Sequence, residues 1–469
     1  MTTPHPTSDA VPPTRTERRC LIALLVLAAL LRLGIIVWKS DRPAVRTVGG
    51  QVVPSSSNGT DAERALGVFA VRDGWQRGSL AEDRDLYWGI AAHLVSGEGY
   101  VHPDLGHATA YRPPLYPLLL AAILWMGGGV KMLAVVQISL GVATAWLTWR
   151  LSCKLEMSRT ASLATAFVAL NPLLIQSTAL AMTETLCAFL LVALMDRIVG
   201  VFHQERHSAW MSGMLLGLAM LCRPTVWAFV VLAILVSAAL LVLPKFTLAR
   251  HSLTVARFKW LVIVVVCALT VSPWAIRNQL TFHKPILTTT HGGYTLLLGN
   301  NDAAFRDEIA NATGVSWESG SWQVELEREL MLRQGLVPSD EIGRDSSMSR
   351  LAIEWITQHP GKFWDLCWLR VRRFWNLFPG GMDAGSLPLV IRWGMAVFFG
   401  LELSAAAVGL WRLRRDEWVV WWPLVLLVLS FALVHVVYWS NLRMRAPVEP
   451  VLALLAARGL SKSRSAFPG

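Results

Sequence analysis

Arg112-Pro-Pro-Leu-Tyr-Pro-Leu-Leu-Leu-Ala-Ala-Ile-Leu-Trp-Met126, followed by Gly127-Gly128-Gly129, decides how this chain is threaded. Pro113 and Pro114 suit a helix start, because the first turn needs no backbone N–H from them. The apolar run from Leu115 to Met126 gives a helix of only about 18 Å, short of the ~30 Å hydrocarbon core of a bilayer. Length therefore predicts a helix lying along a membrane surface. Charge tests this independently. If the run does not cross, Arg150, Lys154 and Arg159, then Arg197 and Arg206, Lys245, Arg250, Arg257 and Lys259, Arg412, Arg414 and Arg415, and Arg458, Lys462 and Arg464 all share the side of the N-terminus. If it crosses, every one of these clusters moves to the opposite side. Cytoplasmic loops collect Lys and Arg, so the surface reading is preferred.

Outward from that stretch, spans are expected near 20–38, 130–150, 161–181, 185–202, 209–222, 225–243, 259–276, 388–411, 418–438 and 446–460. The run 209–222 is also short, but demoting it would carry the later basic loops outside. The expected fold class is an all-α polytopic membrane protein of about ten transmembrane helices with outer juxtamembrane helices. Residues 1–19 read as a disordered cytoplasmic tail, 20–460 as the transmembrane domain and 461–469 as a second cytoplasmic tail. Two long segments, 39–129 and 277–387, face the other compartment.

Composition agrees. Of 469 residues, 54% are hydrophobic and only 16% charged, against about 25% charged in soluble domains. The 22 Trp suit a chain with many interfacial positions. The net charge of +11 lies in short clusters between apolar runs, not on one polar face, which argues against a nucleic-acid partner. The six cysteines form no CxxC pair, so neither a zinc site nor a disulfide framework is indicated. Arg15, Arg18 and Arg19 precede an apolar run too long for a signal-peptide core, which reads as a retained first span.

With this threading, Glu82, Asp83, Asp85, Arg112, Glu184, Arg223, Arg277, Arg443 and Arg445 fall at the outer ends of spans or in outer loops. Charge inside a span costs roughly 2.5–3.5 kcal/mol, so such residues have partners, tasks or a reach to the interface. From Glu82 to Leu94, Leu86, Ile90, Ala91 and Leu94 recur at helical spacing behind an acidic start. Asp83 or Asp85 there suits a helix cap as well as a carboxylate held at an outer cavity. Gly97-Glu98-Gly99-Tyr100 ends the helix in a turn. Other motifs carry little. No GK[ST] follows Gly127-Gly128-Gly129, the glycosylation patterns at Asn58 and Asn311 read as chance, and His102, His107, His283 and His291 lack metal-ligand spacing.

Asp83, Tyr87, Ala91, Leu94, Gly97 and Gly99-Tyr100, followed by Arg112-Pro113-Pro114-Leu115-Tyr116-Pro117, resemble the first extracytoplasmic loop of glycosyltransferase family 39 of the GT-C superfamily. That family holds the protein O-mannosyltransferases and the aminoarabinose transferases. Asn171-Pro172, Thr183-Glu184-Thr185, Arg223-Pro224-Thr225, Pro273-Trp274-Ala275-Ile276-Arg277-Asn278, Gly292-Gly293-Tyr294 through Gly299-Asn300-Asn301, Arg443-Met444-Arg445-Ala446-Pro447 and Glu449-Pro450 resemble it in the same order. The resemblance implies polyprenyl-phosphate sugar donors and a catalytic aspartate in the first outer loop. Alignment on Tyr87 puts that aspartate at Asp83, with Asp85 as the alternative register. Arg112 stands where a histidine often precedes the prolines in the mannosyltransferases, which weakens assignment to that branch. The C-terminal part is also expected to lack the added soluble domain of some relatives.

The chemistry suits these residue types. A sugar on a lipid phosphate already has a good leaving group, so a base for the acceptor hydroxyl is the main need, and a carboxylate can serve. One base and direct displacement imply inversion. Tyr87, Arg112, Glu184, Arg223, Arg277, Arg443 and Arg445 are the expected substrate-binding residues, since guanidinium pairs well with phosphate. Glu184 either orients an arginine or helps bind a metal. No cofactor is certain, and a divalent metal is compatible with the site. The expected partners are a polyprenyl-phosphate-linked sugar, a lipid, glycan or protein acceptor, and membrane lipids. The expected location is the inner (cell) membrane, with the site on the extracytoplasmic side. The alternative functions are a lipid-linked sugar flippase or polysaccharide ligase and, less well supported, a transporter. A transporter predicts an internal repeat and mid-membrane charge, whereas no repeat is visible and span centres read as nearly free of charge.

Overall fold

The computed structural model describes residues 14–40, 45–48, 51–54, 80–81, 83, 85–242, 250–310, 320–379 and 387–461. Most of both expected tails, Glu82, and the patterns at Asn58 and Asn311 lie outside the described residues. Helices dominate: α1 (Arg15–Ser40), α2 (Tyr87–Val95), α3 (Leu115–Trp125), α4 (Val130–Lys154), α5 (Ala161–Leu170), α6 (Pro172–Thr178), α7 (Glu184–Phe202), α8 (Ser208–Cys222), α9 (Val226–Val242) and α10 (Arg250–Phe282). They continue with α11 (Gly292–Gly299), α12 (Gly320–Arg328), α13 (Glu341–Gln358), α14 (Pro360–Phe374), α15 (Leu389–Trp411), α16 (Trp418–Val437) and α17 (Glu449–Gly459). Among the described residues, the strands are an antiparallel hairpin, Val45–Val48 with Gln51–Pro54, in the polar stretch after the first span.

Among the described residues, six helices are long and apolar enough to cross a membrane: α1, α4, α7, the Phe258–Phe282 part of α10, α15 and α16. Their outward faces carry exposed Leu30, Leu269 and Leu401, a pattern that suits lipid contact. The other four expected crossings have less reach. Residues 158–170 and 172–178 form one pair bent by 51°. The break has a local cause. Asn171 is extended because Pro172 follows it, and its side-chain oxygen accepts the N–H groups of Leu173 and Leu174 at 3.0 and 3.2 Å, capping α6. Helices α8 and α9 have 15 and 17 residues, and 446–460 resolves into a 3-10 segment, Leu442–Val448, and the 11-residue α17. The count of ten crossings thus groups helices of unequal reach. Leu115–Trp125 forms an 11-residue helix, as its length predicts.

Close helix contacts rest on small residues, as they do where lipid supplies no hydrophobic drive between helices. Gly213-Met-Leu-Leu-Gly217 sets α8 against α10, where a Cβ on Gly213 would lie 2.6 Å from the Ile263 carbonyl oxygen. A Cβ on Gly409 would collide with the Leu455 carbonyl, and one on Gly459 with that of Ala405, so α15 and α17 pack backbone to backbone. Arg32 of α1 is fully buried against Gly141 of α4 and donates to the carbonyls of Ala28 (3.1 Å) and Val168 (3.5 Å). Together with buried Glu402 in α15, it corrects the expectation of nearly charge-free span centres.

The chain direction of these helices sorts charge to two ends. At one end, buried Asp196 is held by Lys154 (3.2 Å), Arg197 (2.5 Å) and Arg150 (3.4 Å), while Lys154 also pairs with Glu205. The opposite, loop-bearing end gathers α2, α3 and the segment between α10 and α15.

Candidate active site

Helix α2 starts at Tyr87 after Leu86, which sits in the left-handed region at φ 65°. Asp83 supplies the cap from upstream. Its Oδ1 accepts the Trp88 N–H at 3.0 Å and its Oδ2 the Gly89 N–H at 2.8 Å. Gly89 is required there, since a Cβ would run into Pro103 and lie 3.3 Å from Asp83 Oδ2. Gly97 and Gly99, at φ 85° and 91°, turn the chain away after the helix, the φ > 0 region that glycine adopts without strain. Asp85 pairs with Arg112 Nη2 at 2.7 Å, and Arg112 Nε donates to the Asp85 carbonyl at 3.2 Å. The Arg112 guanidinium lies over the rings of Tyr111 (4.7 Å) and Tyr87 (5.7 Å).

Tyr87 connects this pair to the bundle. Its ring meets Tyr116 of α3 edge-on at 5.0 Å, and burial pushes its phenol pKa up. The Tyr116 hydroxyl accepts from Gln137 of α4 at 3.1 Å, which also donates to the Leu180 carbonyl at 3.0 Å. Arg112, Asp85, Glu184 and Arg223 all lie within electrostatic reach of Tyr87.

Glu184 opens α7. One of its oxygens, Oε1, meets Arg223 Nη1 at 2.9 Å and Arg443 Nε at 3.5 Å, while Oε2 is buried with no hydrogen bond. The two arginines complete their contacts on thioethers: Arg223 Nη2 on Met444 at 2.8 Å, and Arg443 Nη1 on Met182 at 2.6 Å. Two guanidinium groups against one carboxylate leave an excess positive charge. The soft sulfur partners leave the strongest donors of this trio weakly satisfied, which suits a phosphate.

Arg277 and Arg445 are otherwise committed. Arg277 donates to the carbonyls of Thr109 (2.8 Å) and Tyr100 (2.9 Å) and so clamps the loop after α2 onto α10. Arg445, with no exposure, pairs with Glu449 at 2.6 Å and donates to the Phe374 carbonyl at 3.2 Å. Of the expected set, the structure therefore brings Asp83, Asp85, Tyr87, Arg112, Glu184, Arg223 and Arg443 around one end and puts Arg277 and Arg445 into its frame.

Sequence reasoning did not anticipate the second long segment as a wall of the site. Glu341, at the start of α13, accepts from Ala110 N (3.0 Å), Thr290 Oγ1 (2.8 Å) and the Thr109 hydroxyl, and lies 3.4 Å from His107 Nε2. A pocket between the two segments is lined by His102, Tyr111, Thr290, Tyr294, Glu341 and Arg344, among others. Burial lowers the His102 pKa to about 4 and that of His291, beside Tyr111 and Tyr294, well below its ordinary value. The available signal was the run His291-Gly-Gly-Tyr294, whose Gly293 N–H meets Asp345 of α13 at 2.6 Å.

Comparison with solved structures identifies the frame. The archaeal oligosaccharyltransferase of Archaeoglobus fulgidus, solved with a tethered acceptor peptide, matches over 94% of this chain and 49% of its own, at 14% identity and a TM-score of 0.51. The chain shares the fold of the matched part of that enzyme. It spans about half the length of that archaeal enzyme. The same enzyme, solved in complex with Zn and sulfate, matches at a TM-score of 0.50 and 14% identity, over 93% of this chain and 48% of its own. ArnT of Cupriavidus metallidurans, solved with undecaprenyl phosphate, covers 94% of this chain and 77% of its own, but at 13% identity and a TM-score of 0.36 it adds nothing to the fold assignment. No protein-family model and no curated protein matches the sequence. Among the described residues, no group of three or more His, Cys, Asp or Glu is arranged to hold a metal.

Proposed function

We propose that this protein is a membrane glycosyltransferase that moves a sugar from a polyprenyl-phosphate donor to an acceptor hydroxyl on the extracytoplasmic side of the cell membrane. The fold shared with the archaeal oligosaccharyltransferase and the six membrane-length helices support the class. The observation that carries the reading is the buried, net-positive trio of Glu184, Arg223 and Arg443, next to the Tyr87 helix whose cap is Asp83. The donor phosphate binds Arg223 and Arg443, with Glu184 holding the two guanidinium groups in place.

Asp83 acts as base. It takes the proton of the acceptor hydroxyl as that oxygen attacks the anomeric carbon. The carbon–oxygen bond to phosphate breaks, and its electron pair leaves on the polyprenyl phosphate, where the arginines stabilise the growing charge. Attack opposite the leaving group inverts the anomeric centre. Asp83 is proposed in both roles, since a carboxylate oxygen that accepts a helix N–H can still take up a proton on a second lone pair. Asp85, tied to Arg112, is the alternative base. The pocket lined by Tyr111, Tyr294 and the neutral imidazole of His102 is the proposed seat of the sugar, since aromatic faces and uncharged polar groups suit a saccharide.

The test is turnover of polyprenyl-phosphate sugars by the purified full chain in lipid nanodiscs, read as release of polyprenyl phosphate. Asp83→Asn is expected to lower turnover by at least about a hundredfold, the scale of a lost general base. Loss in Asp85→Asn with activity retained in Asp83→Asn moves the base to Asp85. Wild-type protein that binds the donors but never splits them sinks the transferase reading in favour of a flippase.

A further inference from the structure

Helix α14 has two unlike faces. Its inner face is Leu366, Cys367, Arg370 and Phe374, all buried at helical spacing. Arg370 Nη1 donates to the carbonyls of Val436 (3.0 Å) and Val437 (2.9 Å), the last residues of membrane-length α16, while Nη2 donates to Asn300 Oδ1 at 2.9 Å and to the Gly299 carbonyl. The helix is thereby tied to the end of a membrane-length helix. Its outer face presents Trp364 at 67% exposure and Trp368 at 65%, one turn apart, with exposed Arg372 a turn further on.

Solvated folds rarely leave two indoles this bare, whereas Trp favours the headgroup level of a bilayer, where its ring and its N–H are both accommodated. Two further observations point to lipid. The chain leaving α14 packs Phe378 on Trp393 (ring centroids 5.0 Å) at the start of α15, whose Leu389, Val390 and Trp393 are exposed on a helix of membrane-crossing length, so the indole face runs on into a lipid-facing surface. Charge is also arranged for it. Lys362 and Arg373 are paired with Asp302 (3.0 Å) and Glu308 (2.6 Å), which leaves Arg372 and Asp365 as the exposed charges of this face.

We propose that α14 lies in the headgroup layer of the membrane the chain crosses, with Trp364 and Trp368 embedded and Arg372 turned to lipid phosphate. The partner is a phospholipid surface, and the consequence is that the second long segment is held at a set height above the bundle. The proposal is independent of the reaction catalysed.

Spin labels at Trp364→Cys and Trp368→Cys test it, with a reference label at exposed Glu354→Cys on α13. All are made in the full chain with Cys20→Ser and Cys153→Ser, in phosphatidylcholine/phosphatidylglycerol nanodiscs. Dissolved oxygen should collide with labels 364 and 368 several-fold more often than with label 354, and a water-borne nickel chelate several-fold less often. Nickel access equal to that at 354 overturns the proposal. So does protection from both reagents, which would mean a protein contact. Should the tryptophan variants not fold, Asp365→Cys reports on the same face without removing an indole, with the same expected and overturning outcomes.

Discussion

Arg443 and Arg445 stand two residues apart on one 3-10 segment, each beside a buried glutamate, yet they occupy different kinds of site. Arg445 and Glu449 have no exposure and meet at 2.6 Å, and Glu449 also accepts from Asn171 at 2.9 Å. Arg443 keeps 13% exposure, touches Glu184 at 3.5 Å and leans on a methionine sulfur. The first arrangement spends its hydrogen bonds on helix ends: the Asn171 break, the start of α17 and the chain after α14. The second shares one carboxylate between two cations and retains a route to solvent. Identical residue types at near-identical positions thus separate into frame and site by what they bond. Arg445, although its Nη2 has no hydrogen-bond partner among the described residues, holds a carboxylate and backbone carbonyls, whereas Arg443 shares a carboxylate and leans on a sulfur.

The sharpest way to break this contrast is to remove each arginine in turn. Arg445→Ala leaves Glu449 charged and buried, with Glu402 near the same Asn171 amide, and one-sided removal of a buried pair costs roughly 3–5 kcal/mol. The expected result is poor recovery of folded protein and a large drop in melting temperature in detergent. Arg443→Ala leaves Glu184 with Arg223 at 2.9 Å, so the melt should move little, by about 1 kcal/mol, the worth of one hydrogen bond, while donor turnover collapses. A stable but inactive Arg445→Ala beside an unfolded Arg443→Ala would exchange the two roles.

A middle-sized effect separates the pocket from the bundle. His102 Nδ1 accepts the Asp104 N–H at 3.3 Å, which needs a neutral ring, and its ring stacks on His107 with centroids 5.7 Å apart. Burial holds its folded pKa at about 4, against 6.5 when unfolded. The unfolded chain therefore binds the proton first as the solution is acidified. The stabilisation from this residue is complete above pH 6.5 and is lost as pH falls towards 4. Glu341 opposes the shift, while His107 and Arg112 reinforce it. Melting temperature should drop across that window, and His102→Phe should flatten the drop. An unchanged slope would remove His102 as its source.

How much of this was readable from sequence depends on the range of the interaction. Helices set by local patterns were legible, the short Leu115–Trp125 and the turn at Gly97 and Gly99, whereas 161–181 reads as one span in the sequence and breaks at Asn171-Pro172 in the structure. Charge asymmetry predicts only that Asp83 and Glu184 share a side; the electrostatic reach between Tyr87 and Glu184 comes from the fold. What could not be read was which arginine is spent. Arg277 is consumed by carbonyls 168 and 177 residues away in sequence, and Arg445 by carbonyls 69 and 71 residues away. Backbone acceptors leave no residue-type signature. Arg32 escaped notice because its partners are again carbonyls and a glycine, Gly141, that yields room.

The smallest expected effect probes the pair of aspartates in the same terms. Asp83 is a cap first: its two oxygens hold two N–H groups of α2. Asp83→Asn keeps one acceptor and strands one donor, so it should cost about 1 kcal/mol of stability. Asp85 pairs with part-buried Arg112 at 2.7 Å, and an asparagine at 85 keeps a carbonyl oxygen that can accept the same guanidinium hydrogen bond. Asp85→Asn should therefore melt closer to wild type than Asp83→Asn. If Asp83 is only a cap, its turnover should fall in proportion to the folded fraction and recover on cooling, since the loss runs through folding. If it is also the base, fully folded Asp83→Asn stays inactive at every temperature. The two outcomes differ although the contact removed is the same, because a helix end needs one oxygen to accept a hydrogen bond and the reaction needs one to accept a proton.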